Sequence, residues 1–216
     1  MERGGSYDLA PKLCGGLTRA MSTDWEAQYQ KGETPWEKGA PSPGLVDFLV
    51  REPVRGRVLV PGCGFGHDVR ALAATADEVV GLDLSNSAVL AARKFPAVGG
   101  ETYVQGDLFA LPPRLCGAFD WVFEHTCFCA IQPAQRSAYV EAVAGALQPG
   151  GKLLAIFYLD PGNALPDEGP PFEVSVAELD RLFLLRFELV REWLPQRAYA
   201  GREGREWMRV LQLRSR

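Results

Sequence analysis

The segment VLVPGCGFGHDVRAL, residues 58–72, has three alternating glycines between an apolar run and a helix-like pattern. Gly62, Gly64 and Gly66 lack a Cβ, so the backbone can turn sharply there and a ligand can lie directly against it. A helix that begins after such a loop also presents free N–H groups to the ligand. The segment therefore predicts a ligand-binding turn between a strand and a helix; a tight turn without a ligand is the alternative.

Aspartates follow the next two apolar runs. Asp83 comes 21 residues after Gly62, near the end of EVVGLDL, and Asp107 follows Gly106 after the next run. A carboxylate at the first position can accept hydrogen bonds from both hydroxyls of a ribose, and one at the second can meet an adenine amino group. Together with the glycines, they predict a site for an adenosine group without a pyrophosphate.

The glycine spacing differs from that of dinucleotide-binding proteins. Their fingerprint is GxGxxG, and its third glycine would fall at His67, whose ring hinders the close helix–strand contact that glycine permits. The chain also lacks a Tyr-x-x-x-Lys pair. A nicotinamide-dependent oxidoreductase is therefore the weaker alternative, and a non-catalytic binding module on the same fold is another.

Strand-like and helix-like patterns alternate along the chain and predict an α/β fold. The expected architecture is a doubly wound, mostly parallel, seven-stranded Rossmann-like sheet with a C-terminal antiparallel hairpin, and Ser85 is expected to cap its second helix. The carboxyl ends of the strands bring the glycines and both aspartates together. Predicted strands cover 57–61, 78–84, 102–109, 119–131 and 152–159, predicted helices cover 67–76, 85–95, 133–147 and 175–186, and 187–194 pairs with 205–213.

Composition is that of an ordinary globular protein. The 216 residues are 47% hydrophobic and 23% charged, which fits one domain with a sizeable core. No apolar run is long enough for a membrane span, and the N-terminus lacks the pattern of a secretory signal. Five cysteines without a CxxC pair argue against a disulfide framework and a zinc cluster, so we expect a cytoplasmic protein without a metal. Residues 1–22 are expected to form a flexible tail, with Met21 as an alternative start of translation.

Charge is distributed unevenly. The chain has a net charge of −4, but residues 191–216 carry seven Arg against three Glu, so the preceding residues carry −8. This mildly basic segment lacks the concentrated positive charge that nucleic-acid binding requires. A solvent-exposed hairpin edge, whose charges prevent pairing with other chains, explains it better. We expect a small molecule as the partner rather than nucleic acid or a membrane, and we expect a monomer.

Five stretches carry more specific patterns: WEAQYQKGETPWEKGAPSPGLVDFL (25–49), LVPGCGFGHDVRALA (59–73), VVGLDLSNSAV (79–89), FDWVFEHTCFCAI (119–131) and GPPFEVS (169–175). In these stretches the chain resembles the thiopurine S-methyltransferase superfamily, most of all its halide, thiocyanate and thiol methyltransferase branch. The resemblance implies a class I methyltransferase with S-adenosylmethionine as cofactor and S-adenosylhomocysteine as product. It also implies a single domain over 23–216 with an N-terminal aromatic lid over about 23–50.

The resemblance further implies which side chains cover the cofactor. Trp25 and Trp36 match tryptophans with that role, and Tyr29 stands where plant halide methyltransferases have a third tryptophan. Aromatic faces attract a cation such as a sulfonium by roughly 0.5–2 kcal/mol. These residues are expected to form the lid, and ordinary core packing is the alternative.

The remaining cofactor contacts implied by the resemblance lie at the strand ends. Gly62 is implied to lie against the methionine moiety, with Gly64 in the same loop. Asp83 is implied to bind the ribose, and Asp107 with Leu108 is implied to bind the adenine.

The stretch FEHTCFCAI leaves the fourth predicted strand, where a methyl acceptor would approach. His125 stands where plant relatives have a tyrosine near the acceptor, and it can accept a proton from a thiol near neutral pH; a packing or hydrogen-bonding role is the alternative. Glu124 is a candidate for cofactor contact or for orienting His125. Cys127 and Cys129 are expected to share one face of an extended segment as buried, unreactive thiols.

Two motifs of other methyltransferases are absent: the (D/N)PPY element of amine methylation and the Pro-Cys dipeptide of cytosine C5 methylation. Transfer from a sulfonium depends mainly on an in-line arrangement of nucleophile, methyl carbon and departing sulfur. No metal and no covalent intermediate are therefore expected. The sequence predicts an S-adenosylmethionine-dependent methyltransferase acting on a small soft nucleophile: a thiol or thiopurine sulfur, a halide, thiocyanate or a selenium analogue.

Overall fold

A central sheet of seven strands organises the structure, a computed structural model that describes residues 23–163 and 168–215. The strands are β1 (Arg57–Pro61), β2 (Glu78–Asp83), β3 (Glu101–Gln105), β4 (Phe119–His125), β5 (Leu147–Tyr158), β6 (Phe187–Trp193) and β7 (Glu206–Leu213). They lie in the order β3-β2-β1-β4-β5-β7-β6, and β7 runs antiparallel to both of its neighbours. This confirms the predicted doubly wound sheet with its antiparallel hairpin. The predicted tail over 1–22 lies outside the described residues.

Helices flank the sheet: α1 (Trp25–Lys31), α2 (Pro43–Arg51), α3 (His67–Ala73), α4 (Asn86–Ala92), α5 (Arg136–Ala146) and α6 (Val176–Phe183). Ser85 caps α4 as predicted, because its Oγ accepts a hydrogen bond from the Ala88 N–H at 3.0 Å. In the described part of the chain, every helix is too short or too polar to cross a membrane.

Two apolar clusters form the core, and side-chain alternation along the strands divides the residues between them. In β1, Val58 and Val60 belong to one cluster and Leu59 to the other. Helices α2, α3 and α4 pack against the first cluster, and α5 and α6 against the second. The sheet is therefore covered on both faces, which leaves the carboxyl ends of its parallel strands as the open edge.

Two strands end earlier than predicted. β3 stops at Gln105 rather than at 109, because Asp107 accepts a hydrogen bond from the Phe109 N–H at 2.8 Å and caps a short 3₁₀ turn. β4 stops at His125 rather than at 131, because Thr126 turns the chain with a left-handed φ of +59°. Both corrections fall at the open edge, where functional side chains leave the sheet.

Several arginines of the C-terminal strip face carboxylates. Arg191 lies 2.8 Å from Glu52, and the buried Arg209 lies 2.8 Å from Asp180 and 2.9 Å from Glu192. These pairs support the interpretation of the strip as a charged hairpin rather than a surface for nucleic acid.

The stability of the fold should be sensitive to substitution at Gly66. Its φ is +72°, and a Cβ there would collide with the Tyr103 ring. Gly66→Ala should lower the free energy of unfolding by about 2 kcal/mol or more, because left-handed strain and a steric clash add together. Urea unfolding measures the loss. Gly117→Ala is the matched control, since its φ is +61° and nothing lies within 4 Å. Equal losses in the two variants would contradict a role for the Tyr103 contact.

Candidate cofactor and acceptor site

A cavity of about 480 Å³ opens at the carboxyl ends of β1 to β4. The strand order β3-β2-β1-β4 sets its polar groups in a row, with Asp107 at one end and His125 at the other. The cavity can therefore hold an elongated ligand along the row and a second, small molecule beside His125. Most of the residues predicted from the sequence line it: Trp25, Tyr29, Trp36, Gly62, Gly64, Asp83, Asp107, Leu108 and His125.

Asp83 fixes the middle of the row. Its Oδ2 accepts the Gly64 N–H at 2.9 Å, and its Oδ1 accepts the Ser85 N–H at 2.9 Å. Burial raises the pKa of Asp83, while the two N–H groups oppose that change. Each carboxylate oxygen can accept more than one hydrogen bond. Asp83 can therefore hold the glycine loop and still accept two ligand hydroxyls.

The end of the row at β3 suits a flat, partly polar ring. Leu84, Leu108 and Phe109 line the cavity there beside Asp107. One oxygen of the Asp107 carboxylate accepts the Phe109 N–H. The other oxygen can accept from an amino group at the rim of an apolar pocket, which is the arrangement that an adenine requires.

Aromatic side chains from the N-terminal segment cover the cavity. The Trp25 and Trp36 rings meet edge to face with centroids 5.3 Å apart, and the Trp36 Nε1–H donates to the Tyr29 hydroxyl at 3.1 Å. A Cβ at Gly64 would lie 2.9 Å from the Tyr29 hydroxyl, so glycine lets the lid approach the loop closely. We call residues 23–42 the lid segment; α2, which follows it, belongs to the core.

His125 lies at the other end of the row, and other side chains enclose its imidazole. Its Nδ1 is 2.8 Å from Asp68 Oδ2, and its Nε2 is 3.8 Å from Oε1 of the fully buried Glu206. The Tyr199 ring stacks on it with centroids 5.9 Å apart. Among the described residues Nε2 lacks a hydrogen-bond partner; it is buried and faces the Glu206 carboxylate, while the residue as a whole borders the cavity.

The neighbouring carboxylates determine the charge of His125. Burial by itself lowers the pKa of the imidazole, but Asp68 and Glu206 outweigh burial and raise the pKa to about 9. The ring therefore carries its proton at neutral pH, and the hypothesis that it takes a proton from a thiol does not fit this state. Because the pKa is raised on folding, the stabilisation from charged His125 is fully present below pH ~6.5 and is lost as the pH rises through about 9.

Glu124 is not a cavity residue, which corrects the prediction that it contacts the cofactor. The side chain is fully buried, one oxygen accepts the Phe128 N–H at 2.7 Å, and the other accepts the Tyr139 hydroxyl. It does not orient His125 either, since Asp68 binds that ring. Glu124 instead holds the turn that follows β4.

The two cysteines after β4 do not lie on one face of a strand, which corrects a second prediction. Residues 128–130 form a 3₁₀ turn, and the Cys129 thiol points back to the Thr126 carbonyl oxygen at 3.3 Å. Burial raises the pKa of Cys127 well above its usual range and that of Cys129 to about 12. Both thiols are thus protonated and weakly nucleophilic, as expected.

Several cavity residues were not found from the sequence. Asp68 comes from the start of α3, and Tyr199 and Arg202 come from the connection between β6 and β7. The Arg202 guanidinium lies over the Tyr158 ring at 4.7 Å and 3.6 Å from Glu206. The signal for Arg202 was an arginine-rich C-terminal strip, which does not reveal which arginine turns inward; no pattern singled out Asp68 or Tyr199.

This combination of sheet order, glycine loop and acidic strand ends defines a class I S-adenosylmethionine-dependent methyltransferase. A family model described as thiopurine S-methyltransferase matches residues 20–197, and the chain belongs to that family. The nicotinamide-dependent alternative is therefore wrong.

Similar proteins include probable thiol methyltransferase 2 of Arabidopsis thaliana, 35% identical over 93% of this chain and 88% of the relative. Thiocyanate methyltransferase 1 of Brassica oleracea is 36% identical over 84% of this chain and 81% of its own. A solved structure from work on the conversion of a disulfide bond into a thioacetal group in echinomycin biosynthesis is 26% identical. Its TM-score is 0.73 over 89% of this chain and 92% of that one.

The charge of His125 can be measured directly, because the chain has two histidines whose titrations NMR can resolve. His125 should titrate near pH 9. Asp68→Asn should lower its pKa by at least about one unit, since it removes the nearest negative charge. Glu37→Gln is the control: Glu37 lies 2.9 Å from His67, so His125 should be unaffected. A wild-type pKa near 6.5 for His125 would contradict the charged state.

Proposed function

We propose that this protein transfers the methyl group of S-adenosylmethionine to a small, soft, anionic nucleophile: a thiolate, including that of a thiopurine, a halide or thiocyanate. The observation that carries the proposal is a pair of positive groups at the acceptor end of the cavity, His125 and Arg202, which approach Glu206 to 3.8 and 3.6 Å. An imidazolium attracts an anion and cannot take a proton from a neutral thiol. Relatives named for thiol and thiocyanate methylation support this class of acceptor.

In this proposal the residues along the row of strand ends would hold the cofactor. Asp107 and Leu108 would bind the adenine, Asp83 would bind the ribose, and Gly62 and Gly64 would border the methionine moiety. The fit is supported by the remaining acceptor capacity of Asp83 and by the glycine at 64, where a Cβ would lie 2.9 Å from the Tyr29 hydroxyl of the lid. The cofactor supplies a methyl group bonded to a positively charged sulfur, which makes that carbon electrophilic.

The lid and His125 then act on the nucleophile. Trp25, Tyr29 and Trp36 surround the cation with aromatic faces and exclude water, so the anion loses the hydration that lowers its reactivity. The positive charge of His125 attracts the anion to the acceptor end of the cavity, and Asp68 keeps the proton on His125. Positioning of this kind lowers a barrier by several kcal/mol, up to about 7–11 in favourable cases.

We also propose that the enzyme is a cytoplasmic monomer that acts on small molecules and not on nucleic acid. A reducing compartment suits its free thiols, which include Cys63, Cys116, Cys127 and Cys129. The pairing of Arg191 and Arg209 with carboxylates supports a small-molecule substrate over nucleic acid. Sedimentation equilibrium measures the molecular mass in solution and tests whether the protein is a monomer.

A panel of acceptors tests the proposed activity. Formation of S-adenosylhomocysteine should be measured with iodide, thiocyanate, thiophenol and 6-mercaptopurine, and with a primary amine of similar size as the control. Turnover is expected with soft anions and not with the amine. Absence of turnover with every sulfur and halide acceptor would overturn the proposal.

The pH profile separates an anion-holding His125 from a base. Iodide has no proton to lose, so its kcat/KM should fall as the pH rises through the His125 pKa, at or below about 9. The positive charge of the bound cofactor can only lower the pKa of His125, because like charges repel. With thiophenol, already ionised near neutral pH, the same decline should appear. His125→Asn should reduce turnover and remove the decline, whereas His67→Asn should retain it. An iodide profile that stays flat to pH 10 in the wild-type enzyme would contradict this role.

Asp83 should dominate cofactor affinity. Loss of a buried, charge-assisted hydrogen bond costs roughly 1.5–3 kcal/mol, so Asp83→Ala should weaken S-adenosylhomocysteine binding by at least about tenfold in calorimetry. Asp120→Ala is the control, because that carboxylate accepts the Arg57 N–H at the far edge of the sheet. Unchanged affinity in a folded Asp83→Ala protein would remove Asp83 from the site.

A further inference from the structure

The first helix of the lid segment is attached to the start of α4 by a carboxylate that does not line the cavity. Glu26 lies in the first turn of α1, and its side chain reaches the start of α4. Its Oε2 accepts the Ser85 hydroxyl at 2.6 Å and the Ser87 N–H at 3.1 Å, and its Oε1 accepts the Ser87 hydroxyl at 2.6 Å. These hydrogen bonds lower the pKa of Glu26 to about 2, so the carboxylate is charged throughout the physiological range.

The helix that carries Glu26 has little else to hold it. α1 has seven residues and none of them is buried. A helix this short is unstable by itself, since isolated helices below about 12–15 residues are marginal in water. Its position therefore depends on the ring contacts of Trp25 and Tyr29 and on the carboxylate of Glu26.

One of the two serines that bind Glu26, Ser85, also contacts the carboxylate of the proposed ribose site. The Ser85 N–H donates to Asp83 Oδ1 at 2.9 Å, and the Ser85 Oγ accepts the Ala88 N–H at 3.0 Å as the cap of α4. Ser85 is completely buried. A continuous path of hydrogen bonds thus runs from the lid through Ser85 to the carboxylate proposed to bind the ribose.

We propose that Glu26 is the latch of the lid: a positioning residue that does not touch the cofactor but keeps the lid segment over it and sets the rate of cofactor release. This inference rests on the proposed placement of the ribose at Asp83. A ligand between Asp83 and the lid can leave once α1 separates from α4, which breaks the three hydrogen bonds that Ser85 and Ser87 donate to Glu26.

Release and binding of S-adenosylhomocysteine should be measured separately. Dissociation is followed by chasing radiolabelled S-adenosylhomocysteine with an excess of unlabelled compound, and association by stopped-flow mixing. Glu26→Gln should release the compound about tenfold faster, because charge-assisted hydrogen bonds are lost, without slower association. Ser87→Ala should act in the same direction. Glu33→Gln, an exposed glutamate just after α1, is the matched control and should match the wild type.

A double variant with both Glu26→Gln and Ser87→Ala tests whether the two residues act as one unit. Its release rate should not exceed the larger single effect by more than about twofold, whereas independent effects would multiply. Unchanged release in a Glu26→Gln protein of wild-type thermal stability would overturn the latch. Slower association with unchanged release would also overturn it, because Glu26 would then shape the pocket. Failure of the wild-type protein to bind S-adenosylhomocysteine would overturn the proposed cofactor site, and the latch with it.

Discussion

The buried carboxylate of Asp83 joins the parts of the site. One oxygen holds the glycine loop through the Gly64 N–H, and the other holds the start of α4 through the Ser85 N–H. Ser85 in turn bonds to Glu26 in the lid segment. Strand, loop, helix and lid thus meet at one buried charge, and the position of each depends on the others.

A second carboxylate does the same at the acceptor end. Asp68 Oδ2 lies beside His125, and its Oδ1 accepts the Ser42 N–H at 2.7 Å where the lid segment ends. The Tyr199 hydroxyl adds a bond to the Ala40 carbonyl oxygen at 2.5 Å. The lid is therefore tied to both halves of the cavity, so the acceptor end takes its final shape when the lid is in place.

Local patterns predicted well which residues of β1, β2 and the turn between them line the cavity. Gly62, Gly64 and Asp83 lie close together in sequence, so their spacing was enough to single them out. The sequence did not reveal Asp68 or Arg202, because tertiary folding brings them to His125. Glu124 was misassigned for a related reason: alternation along β4 shows that a side chain leaves the strand, but not whether it enters a cavity or the core.

The residues around the cavity come from two kinds of source. The half proposed for adenosine is lined by one stretch, β1 to β3 with its turns, whereas the acceptor end is assembled from the end of β4, the start of α3 and the β6–β7 connection. That connection is the loop of the C-terminal hairpin, whose strand β6 lies at the edge of the sheet, and surface connections tolerate changes in sequence and length. Its redesign offers a route to new methyl acceptors on an unchanged cofactor platform.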